Sequence, residues 1–219
     1  MEGNKRYTMQ AFNDRVNRLA NGLSGFGVGR GDRAAILLPN CSEYVELYIA
    51  LAKMGVMAVP LNTRLNAREY IRYFKITRPK VLFTGGQLQD VAAAIRPDLD
   101  TVGHVVCVGT TTLEGGVSYE TLVSGSSASE PPVEVDENDV ATIFFTSGTT
   151  GLPKGAMWTH RNILEHLANL QINLPYAQDD RGLVVLPMFH GPVTMPIVHQ
   201  LLYIGASIVI SPHAHFDAG

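Results

Sequence analysis

The sequence has few cysteines, no excess of basic residues and no long apolar run, and each of these deficits excludes a class of protein. Two cysteines in 219 residues, Cys41 and Cys107, are too few for the disulfide framework of a secreted domain. Two reduced thiols are the simpler interpretation, and a disulfide bond between them is the alternative. The formal net charge of −3 argues against a nucleic-acid-binding protein.

Two further absences concern membranes and metals. No uncharged apolar run reaches the roughly 18 residues of a spanning helix, and the short polar segment 1–5 is unlike a signal peptide. These features predict a cytoplasmic protein without a transmembrane segment. His213 and His215 have the spacing of one strand face, but Pro212 favours a turn and no further ligand joins them. We therefore expect no metal site built from protein side chains alone.

What the sequence does contain is a globular composition, 46% hydrophobic and 17% charged, with enough length for a sizeable core. Capping boxes at Asn40 with Glu43 and at Asn66 with Glu69 indicate two helix starts. Apolar spacing predicts helices over 9–23, 40–54, 66–78, 88–95, 119–123, 159–172 and 193–203, and strands over 33–38, 56–61, 81–84, 104–108, 140–145, 183–186 and 206–210. This alternation predicts an α/β fold with mainly parallel sheets and helices on both faces.

A change in composition divides the chain. Residues 124–138 are rich in serine, proline and acidic side chains, which predicts an exposed linker. Residues 1–123 then form a first α/β portion of the domain, and residues 139–219 form a second.

The most informative segment is Thr-Ser-Gly-Thr-Thr-Gly-Leu-Pro-Lys-Gly at 146–155. A buried strand at 140–145 precedes it, and Thr159 is placed to cap a helix after it. Strand, loop rich in Gly, Thr and Ser, then helix is a plan that suits a polyphosphate, because backbone N–H groups, hydroxyls and a lysine all attract phosphate oxygens. The segment differs from the usual P-loop, since Pro153 precedes Lys154 and Gly155 follows it. A solvated loop with one surface lysine is the alternative.

Segment 146–155 resembles the phosphate-loop signature of the AMP-forming adenylating enzymes, the AMP-dependent synthetase and ligase superfamily. Segments 31–40 and 55–62 are similar to an early strand and turn and to the next strand and turn of that family. Leu-Pro-Met-Phe-His at 186–190 resembles a segment of its acyl-CoA synthetase branch. The resemblance extends from about Tyr7 to the end.

The resemblance implies an incomplete N-terminal part of an acyl-CoA-synthetase-like large domain. Such enzymes activate a carboxylic acid, here a fatty or aromatic one, with ATP as acyl-AMP and transfer it to coenzyme A. The loop would hold the β- and γ-phosphates of ATP while Mg²⁺ shares the charge, and no catalytic residue is assigned. The ATP-binding residues implied are Thr146, Ser147, Gly148, Thr149, Thr150, Gly151 and Lys154, with Gly155 adding flexibility.

His190 is the substrate-binding residue that the resemblance implies. The matching histidine of the family lies beside the pocket for the acyl group and its carboxylate, where an imidazole can contact the acid. The alternative is a structural histidine with a backbone partner.

Segments that the family uses for adenine, ribose and the adenylation lysine do not occur in these 219 residues. We therefore expect an N-terminal fragment that is inactive by itself. The alternatives are a truncated, catalytically inactive domain that binds a nucleotide or a partner, and an acyl-AMP ligase that feeds a carrier protein. A strand edge near 206–210 without a partner would favour a homodimer.

Overall fold

The computed structural model describes residues 5–146, 153–191 and 195–211. The strands are β1 Arg33–Leu37, β2 Met57–Pro60, β3 Val81–Gly85, β4 His104–Val108, β5 Val117–Ser118, β6 Val140–Thr146, β7 Lys154–Thr159, β8 Arg181–Val184 and β9 Ser207–Ile210. The α-helices are α1 Met9–Gly25, α2 Ser42–Lys53, α3 Ala67–Thr77, α4 Leu88–Ile95, α5 Tyr119–Ser124, α6 His160–Asn173 and α7 Gln200–Ile204. A 3₁₀ turn at Arg96–Asp98 follows α4, and a π-helical turn at Met195–His199 leads into α7.

Seven strands form one sheet in the order β5-β4-β3-β1-β2-β6-β7. Every neighbouring pair is parallel except β6 and β7, which are antiparallel. A second sheet consists of β8 and β9, which are parallel to each other. The α/β fold with mainly parallel sheets is therefore confirmed.

Helices cover both faces of the large sheet. Alternate residues of a strand point to opposite faces, and in β1 Ala34 and Ile36 join one core cluster while Ala35 and Leu37 join the other. The first cluster contains the buried residues of α1, α2 and α5, and the second contains those of α3 and α4. Val184 of β8 and Ile210 of β9 belong to the first cluster, so the small sheet packs on the side of α1 and α2.

The predicted capping box at Asn66 is present, because Asn66 accepts from the Glu69 N–H and the Glu69 carboxylate accepts from the Asn66 N–H. The one predicted at Asn40 is wrong. Helix α2 begins after Cys41, which makes no side-chain cap, and the Asn40 amide binds a distant segment instead.

Residues 124–138 carry mostly exposed side chains but are anchored on α1. Asn17 donates to the Ala128 carbonyl over 3.0 Å, and Asn21 donates to the Ser127 carbonyl over 2.8 Å. Strands from both sides of this segment enter the large sheet, since β6 pairs with β2. The division into two portions with a linker stays a prediction. No helix among the described residues is long and apolar enough to cross a membrane.

Candidate functional site

Thr146 and Lys154, two residues of the predicted phosphate loop, face each other. Thr146 is the last residue of β6 and Lys154 the first of β7, and the two are partners in the antiparallel ladder. The Thr146 hydroxyl donates to the Lys154 carbonyl over 3.4 Å. Segment 147–152, with the predicted site residues Ser147, Gly148, Thr149, Thr150 and Gly151, lies outside the described residues. The loop therefore connects the two strands of a hairpin.

The predicted order of strand, loop and helix is wrong at this point, because β7 lies between the loop and α6. Lys154, Gly155 and Ala156 have weak strand propensity, and pairing with β6 overrides it. Helix α6 begins where predicted, with Thr159 as N-cap and Asn162 completing a capping box. Thr159 is five residues further along β7 than Lys154, a distance of about 17 Å at 3.4 Å per residue.

This geometry changes which groups can hold an anion. The N-terminus of α6 lies at the opposite end of β7 from the loop, so its backbone N–H groups are out of reach of a phosphate bound there. Binding would depend on loop backbone, hydroxyls and Lys154. The Lys154 side chain is exposed, and it takes part in none of the ion pairs among the described residues.

His190 ends a tight turn after β8. Its backbone N–H donates to the Pro187 carbonyl over 3.0 Å, and its side chain is exposed. The next residue, Gly191, lies against Phe144 of β6, and a Cβ added there would stand 3.1 Å from the ring carbons. Phe144 is two residues before Thr146. The His190 turn and the base of the loop hairpin thus meet at the carboxyl end of β6, the edge where parallel α/β sheets bind ligands.

Two hydrogen bonds from the Asn40 side chain connect this turn to the central strand of the large sheet. It follows β1 and is 4% exposed. Its amide donates to the Leu186 carbonyl over 2.9 Å and accepts from the Met188 N–H over 2.8 Å. The sequence analysis assigned Asn40 to a helix cap, because a partner 146 residues away leaves no local signal. Its position after Leu-Pro at a strand end was the only available hint.

Beneath the turn lie three side chains that the sequence analysis did not select: Tyr44 and Tyr48, which are buried, and His199, which is partly buried. The Tyr48 hydroxyl donates to the Met188 carbonyl over 3.4 Å, and its ring meets the edge of the His199 ring, with centroids 5.3 Å apart. Burial lowers the pKa of His199 to about 4, so the ring is neutral at physiological pH. Neither His199 Nδ1 nor the Tyr44 hydroxyl has a hydrogen-bond partner within the part of the chain that the structure describes.

Comparison with known proteins decides the family. The model of the family described as AMP-binding enzyme matches residues 1–219. The chain belongs to the AMP-binding enzyme family.

Several members of this family are similar to the chain. A long-chain-fatty-acid–CoA ligase of Mycobacterium tuberculosis is 34% identical over 213 residues, which are 97% of this chain and 41% of that protein. A feruloyl-CoA synthase of an Amycolatopsis species is 33% identical over 218 residues, with 99% and 41% covered. The crystal structure of the anthranilate–CoA ligase AuaEII with anthranoyl-AMP superposes with a TM-score of 0.93 at 26% identity, covering 98% of this chain and 42% of that one. The chain thus spans about two fifths of the length of the curated relatives it matches.

Across 5–146, 153–191 and 195–211, no three His, Cys, Asp or Glu side chains come together as a metal site.

Proposed function

We propose that this chain is the N-terminal part of an ATP-dependent acyl-CoA synthetase that activates a fatty or aromatic carboxylic acid as acyl-AMP and transfers it to coenzyme A. The observation that carries the proposal is the contact between Gly191 and Phe144, which sets the His190 turn beside the hairpin of the loop. A carboxylate held at the turn and a triphosphate held by the loop would be neighbours. Membership of a family with CoA ligases among its members supports the same reaction.

The loop side of the site would bind the β- and γ-phosphates of ATP. The residues proposed for this are Thr146, Ser147, Gly148, Thr149, Thr150, Gly151 and Lys154. Lys154 supplies an exposed positive charge at the mouth of the hairpin, and the hydroxyls supply donors to phosphate oxygens. Mg²⁺ would enter with ATP and neutralise part of the phosphate charge. Attack of the carboxylate oxygen on the α-phosphorus then breaks the bond to pyrophosphate, a step that depends on positioning and charge.

The turn side of the site would bind the acid through His190. An exposed imidazole on a fixed backbone can donate a hydrogen bond to a carboxylate oxygen, or shape the mouth of an acyl pocket. In the second half-reaction the thiol sulfur of coenzyme A would attack the acyl carbon and AMP would leave.

We place the protein in the cytoplasm, because Cys41 and Cys107 are both buried thiols without a disulfide bond. The homodimer stays a prediction.

The experiment uses the full protein encoded by the gene, incubated with ATP, Mg²⁺, coenzyme A and, in turn, a saturated fatty acid and a hydroxycinnamic acid. We expect AMP and acyl-CoA in equal amounts with one class of acid, measured by liquid chromatography and mass spectrometry. Acyl-AMP that transfers only to a carrier protein would identify an acyl-AMP ligase instead. ATP binding without AMP formation from any acid would indicate a catalytically inactive nucleotide-binding domain.

A further inference from the structure

The Asn40 side chain uses both halves of its amide on one distant segment. The donor half binds the Leu186 carbonyl at 2.9 Å, and the acceptor half binds the Met188 N–H at 2.8 Å. The two hydrogen bonds run in opposite directions, so they fix both the position and the rotation of the backbone between them. Within the described part of the chain, the Asn40 amide does not cap α2, which begins at Ser42 after an N-cap residue, Cys41, that makes no side-chain hydrogen bond.

The chain segment that carries Asn40 is held firmly in the core. Asn40 follows β1, which lies at the centre of the seven-stranded sheet between β3 and β2. Leu37 and Leu38, just before it, are 0% and 1% exposed. On the other side, Met188 is 0% exposed and its carbonyl accepts from Tyr48. The backbone that precedes His190 is therefore held from two elements of the core.

The side chain of His190 is exposed. The backbone that carries this side chain forms a turn, which is closed by the hydrogen bond from the His190 N–H to the Pro187 carbonyl. Reactive groups that must meet tolerate misplacement poorly, and an error of about 1 Å costs on the order of 100-fold in rate. A residue that fixes the turn would thus affect the rate of the reaction without contacting a substrate.

We propose that Asn40 is a positioning residue of the carboxylate site: through Leu186 and Met188 it sets where His190 stands relative to Thr146 and Lys154 at the base of the loop hairpin. The proposal rests on the proposed function, because it assigns Asn40 to the binding of the acid. It differs from a purely structural role in one respect. Loss of Asn40 should change the handling of the acid selectively, whereas loss of a structural amide should reduce only the fraction of folded protein.

Asn17 offers a matched control. It is 3% exposed, donates to the Ala128 carbonyl over 3.0 Å and accepts from Lys53 over 2.9 Å. It therefore resembles Asn40 in residue type, burial and use of the amide, but it holds the 124–138 segment and not the turn.

The test compares Asn40→Ala, Asn40→Asp and Asn17→Ala in the full protein encoded by the gene. Asn40→Asp keeps the shape of the side chain and the acceptor for Met188 but loses the donor for Leu186, so it serves if Asn40→Ala does not fold. For both Asn40 variants we expect kcat/KM for the acid to fall about 10- to 100-fold, with KM for ATP within about twofold of wild type. Asn17→Ala should leave both parameters at the wild-type level per folded molecule.

A second measurement does not depend on catalysis. In protein labelled with ¹³C-histidine, the His190 ring signal, assigned by its loss in His190→Ala, should shift in the Asn40 variants and stay in place in Asn17→Ala. If the wild type forms no AMP from any acid, the proposed function fails, and the His190 signal alone then tests whether Asn40 positions His190. An unshifted His190 signal overturns the proposal in either case. In an active enzyme, equal kinetic losses for acid and ATP, or no loss beyond that of Asn17→Ala, overturn it as well.

Discussion

Gly191 and Phe144 are in such close contact that a Cβ on Gly191 would stand 3.1 Å from the Phe144 ring. Only glycine fits this place without a shift of the ring or of the turn. Phe144 belongs to the strand that leads into the phosphate loop, and Gly191 follows His190. One contact thus joins the two sides of the candidate site, and the next predictions test the two sides separately.

Lys154→Ala should weaken the phosphate side. Removal of one charged hydrogen-bond donor to a phosphate costs about 1.5–3 kcal/mol, or roughly 10- to 150-fold in the rate of adenylation. The measurement is acid-dependent exchange of labelled pyrophosphate into ATP by the full protein. Lys75→Ala, which removes an exposed lysine from α3, is the control and should retain the wild-type rate. An unchanged exchange rate in Lys154→Ala would remove this residue from the site.

His190→Ala should affect the other side. A residue that touches one substrate changes the constants of that substrate, so we expect a higher KM or a lower kcat for the acid with little change in KM for ATP. Both constants and the melting temperature are to be measured on one preparation. A structural histidine predicts the opposite result, a melting temperature lower by several degrees with no effect specific to the acid.

Glu46→Ala should destabilise the fold. Glu46 is 0% exposed and accepts from Arg15 Nε and from the Tyr119 hydroxyl, both over 2.7 Å. Burial raises the pKa of the Glu46 carboxyl, although the hydrogen bonds from Arg15 and Tyr119 oppose the rise. Of the ion pairs that Arg15 makes with described residues, removal of the carboxylate leaves the one with Glu120, and a loss of about 3 kcal/mol in the free energy of unfolding is expected.

Glu120→Ala is the control for that change, because it removes the exposed partner of the same arginine. The Glu120 side chain is 56% exposed, and an ion pair of this kind contributes about 1 kcal/mol or less. Urea unfolding followed by circular dichroism compares the two variants. Equal losses of stability would contradict the assignment of Glu46 to a buried network.

His199 should make the protein less stable in mild acid. Burial lowers its pKa from 6.5 to about 4. Between these two pH values the His199 ring binds a proton in the unfolded chain but stays neutral in the folded chain. Above pH 6.5 the residue is neutral in both states and contributes nothing. As the pH falls from there towards 4, proton uptake favours the unfolded state, by roughly 2 to 3 kcal/mol at pH 4.5.

The variant His199→Gln isolates this contribution, because all other titrating groups are common to both proteins. The free energy of unfolding of wild type relative to the variant should fall by roughly 2 to 3 kcal/mol between pH 7.5 and pH 4.5. A difference that stays constant over this range would show that the His199 ring titrates alike in the folded and unfolded chains.

Local signals predicted most of the fold correctly. Strand β3 and helix α4 were predicted to within a residue, because an apolar period and a nearby capping or turn signal are contained in a short stretch of chain. The same holds for α6, whose cap at Thr159 was found. Strand β7 was missed because its first three residues, Lys154 to Ala156, have weak strand propensity, which pairing with β6 overrides. Strand β5 was missed because two residues are too few to show a period.

Errors at the candidate site came from contacts between distant residues. Asn40 was assigned to a helix cap since Glu43 stands three residues later, but its partners are Leu186 and Met188. The N-terminus of α6 was placed next to the phosphate loop, and β7 moves it to the other end of the hairpin.

The sequence by itself determined the alternation of strands and helices, the composition of the loop between Thr146 and Gly155, and the resemblance that the family match confirmed. These properties reside in consecutive residues, where backbone preference and side-chain chemistry act locally. Tertiary structure alone decided that Thr146 opposes Lys154, that Gly191 rests on Phe144 and that Asn40 holds the turn of His190. Those relationships depend on which surfaces pack together, and packing joins residues whose separation along the chain carries no periodic signal.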